Sequence, residues 1–104
     1  MATLLNPSDI QNKLMKSNGW MIFFDQAIQK CFTFDNFSQA LEFVNRVGGL
    51  AEGMDHHPDI FMHGYKYVTL TLTTHEAKTP EGERATGLTR MDFDLAAKIE
   101  NAFA

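Results

Sequence analysis

The stretch Tyr65–His75, YKYVTLTLTTH, decides how the rest of this chain is read. Val68, Leu70 and Leu72 alternate with Tyr67, Thr69, Thr71 and Thr73, a period of two that sends apolar and polar side chains to opposite faces. Its β-branched and aromatic residues are those that fit a pleated, half-buried surface. A strand with one apolar face belongs to a sheet covered on one side, so the covering elements must be sought on either side of it.

Upstream, DNFSQALEFVNRVGGLAEGM (Asp35–Met54) supplies the clearest helix, expected over 36–53 with Asp35 as its cap. Phe37, Ala40, Leu41, Val44 and Val47 recur at three and four residues. The Phe37–Leu41–Val44 stripe reads as core or as a helix–helix contact. Gly48 and Gly49 weaken the helix by roughly 1 kcal/mol each relative to alanine, or let another element approach closely. A shorter first helix is expected over 8–17, with Ser8 and Gln11 as a capping box and Gly19 as terminator. Trp20–Phe34 alternates as a hairpin, with the turn placed at Asp25-Gln26-Ala27. The last helix is expected over 89–103, opened by Thr89 with Asp92 three residues on, and Leu95, Ala96, Ile99 and Phe103 facing inward. The polar stretch Glu76–Thr86, holding Pro80 and Gly82, is assigned to a loop. Strands between helices in this order predict an α+β fold: four antiparallel strands with three helices on one face.

Composition sets the outer bounds. The 104 residues form one domain, 44% hydrophobic and 12% aromatic, too apolar for disorder. A net charge of −4 and the lack of any Lys/Arg run argue against nucleic acid as a direct ligand. The single cysteine, Cys31, allows no intrachain disulfide and suits a reducing compartment. Within its strand pattern it is expected to be a small packed side chain. No apolar run reaches membrane-spanning length and the N-terminus lacks a signal-like core, so a cytoplasmic location is expected.

The chemistry concentrates in EGMDHHPDIF, Glu52–Phe61. Half of the four histidines stand here side by side, with Glu52 and Asp55 before them and Pro58 after. Pro58 disfavours helical geometry at His57, so the histidines must leave the end of the second helix. Imidazoles exchange protons near neutral pH, as general acid–base catalysis requires. His75 ends the Thr-rich strand, a position where sites are commonly built. No nucleophile elbow or phosphate loop accompanies these residues, which favours proton transfer. A zinc site is disfavoured because adjacent His56 and His57 are awkward ligands. A His-His-Pro tripeptide alone is equally compatible with a polar loop, and His63, beside Gly64, is read as an exposed loop residue. Asp92 has a sufficient role as a helix cap.

Taken together, these segments resemble the pterin-4a-carbinolamine dehydratase family, whose vertebrate members also act as dimerisation cofactors of a hepatocyte homeodomain factor. The likeness runs through Gly19-Trp20, FTFDNFSQALEFVNRV, AEGMDHHPDIF, YVTLTLTTHE and LTRMDFDLAAKIE. Its ordered pattern falls on Glu52, His56, His57, Pro58, Tyr65, His75 and Asp92. The resemblance implies dehydration of 4a-hydroxytetrahydrobiopterin to quinonoid dihydrobiopterin, which restores the cofactor of aromatic amino acid hydroxylases. It implies His56 and His75 as the acid–base pair and His57 as a group that binds or orients the pterin. Glu52, Asp55, Pro58, Thr74, Glu76 and Asp92 are implied substrate-binding positions, with neither metal nor separate cofactor, because the pterin is the substrate. Family members form dimers and tetramers, so a homo-oligomer is expected. The alternative is a non-catalytic binding module with a transcription-factor partner, which extends the expected location to the nucleus. Three departures stand out: Ile60 in place of an aromatic residue, one extra residue near His63-Gly64, and a longer 76–86 segment, read as a surface insertion rather than a lid.

Overall fold

The computed structural model describes residues 1–103, and it is α+β. In chain order the elements are β1 (Ala2–Thr3), α1 (Pro7–Lys16), β2 (Met21–Phe23), β3 (Ala27–Thr33) and α2 (Phe37–Met54). They continue with β4 (Asp59–His63), β5 (Tyr67–Leu72), β6 (Thr74–Lys78), β7 (Arg84–Gly87) and α3 (Arg90–Phe103). The main sheet is antiparallel in the order β2-β3-β5-β4.

Within the Tyr65–His75 stretch only Tyr67–Leu72 forms the expected strand; the chain leaves the main sheet at Thr73, and His75 does not end that strand but lies in β6 of a second sheet. Val68, Leu70 and Leu72 are fully buried, and β3 pairs Phe32 with Val68 and Ile28 with Leu72 on the same face. Against that face α2 packs Ala40, Phe43 and Val47, and α3 packs Leu95, Ala96 and Ile99. Ile10 and Leu14 of α1 close the edge of this core. Burying each such aliphatic side chain contributes roughly 1.5–3 kcal/mol, offset by the entropy of ordering it.

The helix ends differ in detail from the sequence expectation. Asn6, not Ser8, caps α1: its Oδ1 accepts from the Asp9 amide at 2.8 Å, with Pro7 in the first turn. Pro7 cannot donate, so the cap settles one residue before it. Ser17 rather than Gly19 ends this helix, its amide and hydroxyl both donating to the Leu14 carbonyl. Asn36, not Asp35, caps α2 by accepting from the Gln39 amide at 2.9 Å. The inward face of α2 is Ala40, Phe43, Val47 and Ala51, which leaves Phe37 and Leu41 on the outside, 52% and 43% exposed. The Phe37–Leu41 stripe is therefore not core. Among the described residues, nothing outside their chain neighbours and the helix's own backbone comes within 4 Å of a Cβ built on Gly48 or Gly49, so no other element uses the space they leave.

Three further expectations are corrected. The β2–β3 turn is Phe24-Asp25-Gln26, with Phe24 and Asp25 at positive φ, the twist a tight hairpin demands even without glycine. Cys31 is exposed, because it sits on the open face of the sheet opposite Thr69. His63 is the last residue of β4, not a loop residue. It is stacked between Phe61 and Tyr67, at 4.6 and 5.6 Å between ring centroids, and bonded to Thr69 Oγ1 at 2.9 Å. In the turn that follows, Gly64 and Tyr65 both have positive φ. A Cβ on Gly64 would meet Tyr67 Cδ2 at 2.8 Å, so glycine is required there.

The largest correction concerns residues 76–86. They are a hairpin, β6 and β7, turned by a Gly82 amide that donates to the Thr79 carbonyl at 2.9 Å. Its second edge is taken by β1, which runs parallel to β6 with Ala2 opposite Ala77. The resulting three-stranded sheet is a polar ribbon with no alternating apolar face, so its sequence reads as a loop. Gly87 lets the chain before α1 come close: a Cβ there would lie 2.9 Å from Leu4 Cδ2.

Candidate active site

Where α2 ends, Asp55 adopts the left-handed conformation (φ 51°, ψ 43°), and the His56 amide donates back to the Ala51 carbonyl at 3.0 Å. This turn sends His56 inward and leaves His57 outside. His56 is 8% exposed, and its Nε2 lies 2.7 Å from Oδ1 of Asp92, which is fully buried in the first turn of α3. The other carboxylate oxygen of Asp92 accepts from the Thr89 amide and from Thr74 Oγ1, each at 2.9 Å.

Proton directions in this cluster follow from its chemistry. A carboxylate only accepts, so His56 Nε2 and the Thr74 hydroxyl both donate to Asp92. The Thr74 proton is thereby committed, and the 2.8 Å contact between the two hydroxyls must have Thr89 as donor. No buried side-chain nitrogen or oxygen lacks a partner among the described residues. With Nε2 carrying a proton, Nδ1 is the free nitrogen of neutral His56, and it has no hydrogen-bond partner within the described residues.

A cleft of about 610 Å³ brings the histidines together. His56, His57 and His75 line it, with Asp55, Thr74 and Glu76 beside them. His57 is held at the surface by Glu52, whose carboxylate accepts from Nε2. Glu76 is exposed and accepts from Arg84 across the β6–β7 ribbon at 3.2 Å. His75 is exposed, and its backbone carbonyl is fixed by the Thr86 hydroxyl at 3.0 Å.

Six of the nine positions singled out from sequence therefore line one cleft. Glu52, Pro58 and Asp92 do not: Glu52 reaches it only through His57, Pro58 shapes the turn after the histidines, and Asp92 lies behind His56. Asp92, expected from the resemblance as a substrate-binding position, touches His56 rather than the cleft. The cleft also has walls that no sequence pattern marks. Met1 and Ala2 of the β1 region, Thr73 and Met91 complete it. The tip of the β6–β7 ribbon, residues 79–83, is not among its lining. Among the described residues, no group of three His, Cys, Asp or Glu side chains is arranged to hold a metal ion.

The α+β domain thus sets three imidazoles around an open cleft, one of them backed by a buried carboxylate. Residues 3–102 match the family model for pterin 4 alpha carbinolamine dehydratase, and the chain belongs to that family. It is 43% identical over 100 residues to a provisionally named pterin-4-alpha-carbinolamine dehydratase of Picosynechococcus sp., covering 96% of this chain and 98% of the relative. A provisionally named counterpart from Roseiflexus castenholzii is 42% identical, with 96% and 97% covered. The crystal structure of a transcriptional coactivator/pterin dehydratase from Brucella melitensis superposes with a TM-score of 0.78 at 32% identity, covering 94% of this chain and 96% of that one. No helix of the described residues is long and apolar enough to cross a membrane.

Proposed function

We propose that this chain dehydrates 4a-hydroxytetrahydropterins, 4a-hydroxytetrahydrobiopterin among them, to the quinonoid dihydropterin. The observation that carries the reading is the convergence of His56, His57 and His75 on one cleft, with His56 locked to Asp92. Family membership supplies the substrate class.

The reaction needs one proton delivered and one removed. The hydroxyl on C4a leaves as water once protonated, the N5–H bond gives up its proton, and its electron pair forms the C4a=N5 double bond. Neutral His56, with Nε2–H donated to Asp92, keeps a lone pair on Nδ1 and takes the N5 proton. His75, exposed on the cleft, delivers the other to the leaving hydroxyl. His57, steadied by Glu52, orients the ring, and the Asp55 and Glu76 carboxylates accept from its amino and N3–H edge. Each positioned proton transfer contributes about 10²–10⁴-fold. No redox change occurs, so acid–base chemistry suffices and the pterin enters as substrate.

The decisive experiment is a rapid assay on chemically generated carbinolamine, following the quinonoid product. His56→Ala and His75→Ala should each lose at least about tenfold in kcat. Full wild-type rates in both variants would reject the reading.

A protein-contact role is supported by a different surface. Phe37 and Leu41 form an exposed apolar stripe on α2, and Gly48 and Gly49 further along the helix leave open space beside the backbone. A second copy of the same helix fits such a stripe, and a homodimer or homotetramer built on α2 is the proposed assembly. The Brucella melitensis structure is described as a transcriptional coactivator as well as a dehydratase. A transcription-factor partner docking on the assembled protein is the corresponding second reading.

A further inference from the structure

The histidine cleft does not end at β1. A second cleft of about 490 Å³ adjoins it, and the two share Met1, Ala2 and Met91 as walls. Beyond those shared residues the second cleft is lined by Thr3, Leu5 and Arg90. We propose that it is a subsite for the C6 substituent of the pterin, and that Arg90 selects substituents ending in oxygen acceptors. The inference rests on the dehydratase reading and goes beyond it by assigning a tail-recognition site.

The walls argue for this division of labour. Four of the six lining residues, Met1, Ala2, Leu5 and Met91, are apolar and can pack against a short carbon chain without competing for its polar groups. Arg90 carries the single charged side chain of the set. It is exposed and takes part in no ion pair or side-chain hydrogen bond among the described residues. Its guanidinium presents up to five N–H donors in a planar fork, suited to vicinal hydroxyls and better still to a phosphate ester. The first cleft carries the opposite character, with Asp55 and Glu76 facing the ring's donor edge. A ligand with a donor-rich ring at one end and an acceptor-rich tail at the other matches both clefts at once.

Position supports the same reading. Met91 and Arg90 precede Asp92 in the chain, so the carboxylate that fixes His56 and the guanidinium that meets the tail belong to one rigid helical turn. The opposite wall, Ala2, is fixed by the pairing of β1 with β6, the strand that carries His75. Ring and tail sites are therefore held by the same two elements.

The test compares three carbinolamine substrates that differ only at C6: methyl, trihydroxypropyl, and the monophosphate ester of the trihydroxypropyl chain. Wild-type protein should show KM falling in that order, with the hydroxylated substrate favoured over the methyl one by about tenfold, the range expected for hydrogen bonds to a charged group. Arg90→Met should abolish this discrimination by raising KM for the two oxygenated substrates, and Arg90→Lys should restore part of the phosphate preference. Equal KM values across the series in wild type, or an unchanged ratio in Arg90→Met, would overturn the subsite while leaving the dehydratase reading intact. Failure of wild-type protein to dehydrate any of the three would overturn both.

Discussion

Replacing Asp92 by Asn removes one charge and almost no volume, yet its consequence for His56 can be worked out atom by atom. Asp92 accepts three hydrogen bonds: from the Thr89 amide and the Thr74 hydroxyl on Oδ2, and from His56 Nε2 on Oδ1. An asparagine must point its oxygen at one side and its NH₂ at the other. The Thr89 amide is an obligate donor, so the oxygen turns there and the NH₂ meets His56. Nε2 must then accept, which moves the imidazole proton to Nδ1, the nitrogen left for the substrate. The base is thereby blocked without being moved.

The expected outcome is a fall in kcat of the order of His56→Ala itself, about 10²-fold or more, with kcat/KM falling in parallel. Stability should suffer less than in a truncation. All three bonds lose their charge assistance but none is left unmade, costing roughly 1.5–3 kcal/mol together, and each 1 kcal/mol lowers Tm by about 4–8 °C in a domain near this size. Steady-state kinetics on the carbinolamine and a thermal melt read the two effects separately. The double variant His56→Ala/Asp92→Asn should be no slower than His56→Ala alone, because both substitutions act through one ring. Wild-type kcat in Asp92→Asn, or fully additive losses in the double variant, would refute the assignment of Asp92 as the group that sets the His56 tautomer.

Other consequences follow from the same coordinates. His57→Ala should raise KM more than it lowers kcat, because His57 stands at the surface on Glu52 and is assigned an orienting role; a loss confined to kcat would contradict this. His63→Ala should leave kcat near wild type while lowering Tm, since His63 bonds Thr69 within the Phe61–Tyr67 stack and does not line the cleft. Glu100→Ala should destabilise the fold by roughly 1–3 kcal/mol, because it leaves the half-buried Lys30 ammonium, 2.8 Å from that carboxylate, with the Asn18 carbonyl alone and removes the acceptor of the Trp20 indole N–H at 3.2 Å, and a melt equal to wild type would contradict it. Leu41→Glu on the exposed α2 stripe should shift sedimentation towards monomer, and a wild-type protein that sediments as a monomer at micromolar concentration would remove the proposed assembly.

How much of this could be read in the sequence depended on whether a residue's role is local or shared. The strand 67–72 and the helices were legible because their periodicities are imposed by one large apolar face. The three histidines were legible because of what imidazole does chemically, and their approach across some twenty residues of chain was implied by the family pattern. Asp92 was noticed, but as a cap or a substrate ligand. Its contact with His56 joins α3 to the end of α2 across 36 residues, and no spacing rule encodes that. The face of α2 that turns inward was misjudged because Phe37 and Leu41 fit the same helical period as Ala40, Phe43 and Val47. Only the position of the sheet decides between overlapping stripes. The β6–β7 ribbon and β1 were invisible for a simpler reason. Both are held by backbone pairing and carry too few apolar side chains to leave a pattern.

That second sheet is also what gives the site its form. Between Thr74 and Ala77 the β6–β7 pairing slips: three steps along β6 oppose two along β7, from Gly87 to Ala85. One extra residue in a strand breaks the alternation of faces. In an unbroken strand Thr74 and Glu76 would share one side, and His75 and Ala77 the other. Here Thr74 and Ala77 are both buried while His75 and Glu76 are both exposed, side by side on the cleft. The slip thus serves two demands that a regular strand could not meet together. Thr74 must point inward to donate to Asp92, and through it hold His56. His75 and Glu76 must point outward to line the cleft, where the proposed reaction uses one to carry a proton and the other to accept from the ring. A deletion restoring regular pairing would keep the ribbon but return Thr74 and Glu76 to one face and separate Glu76 from His75.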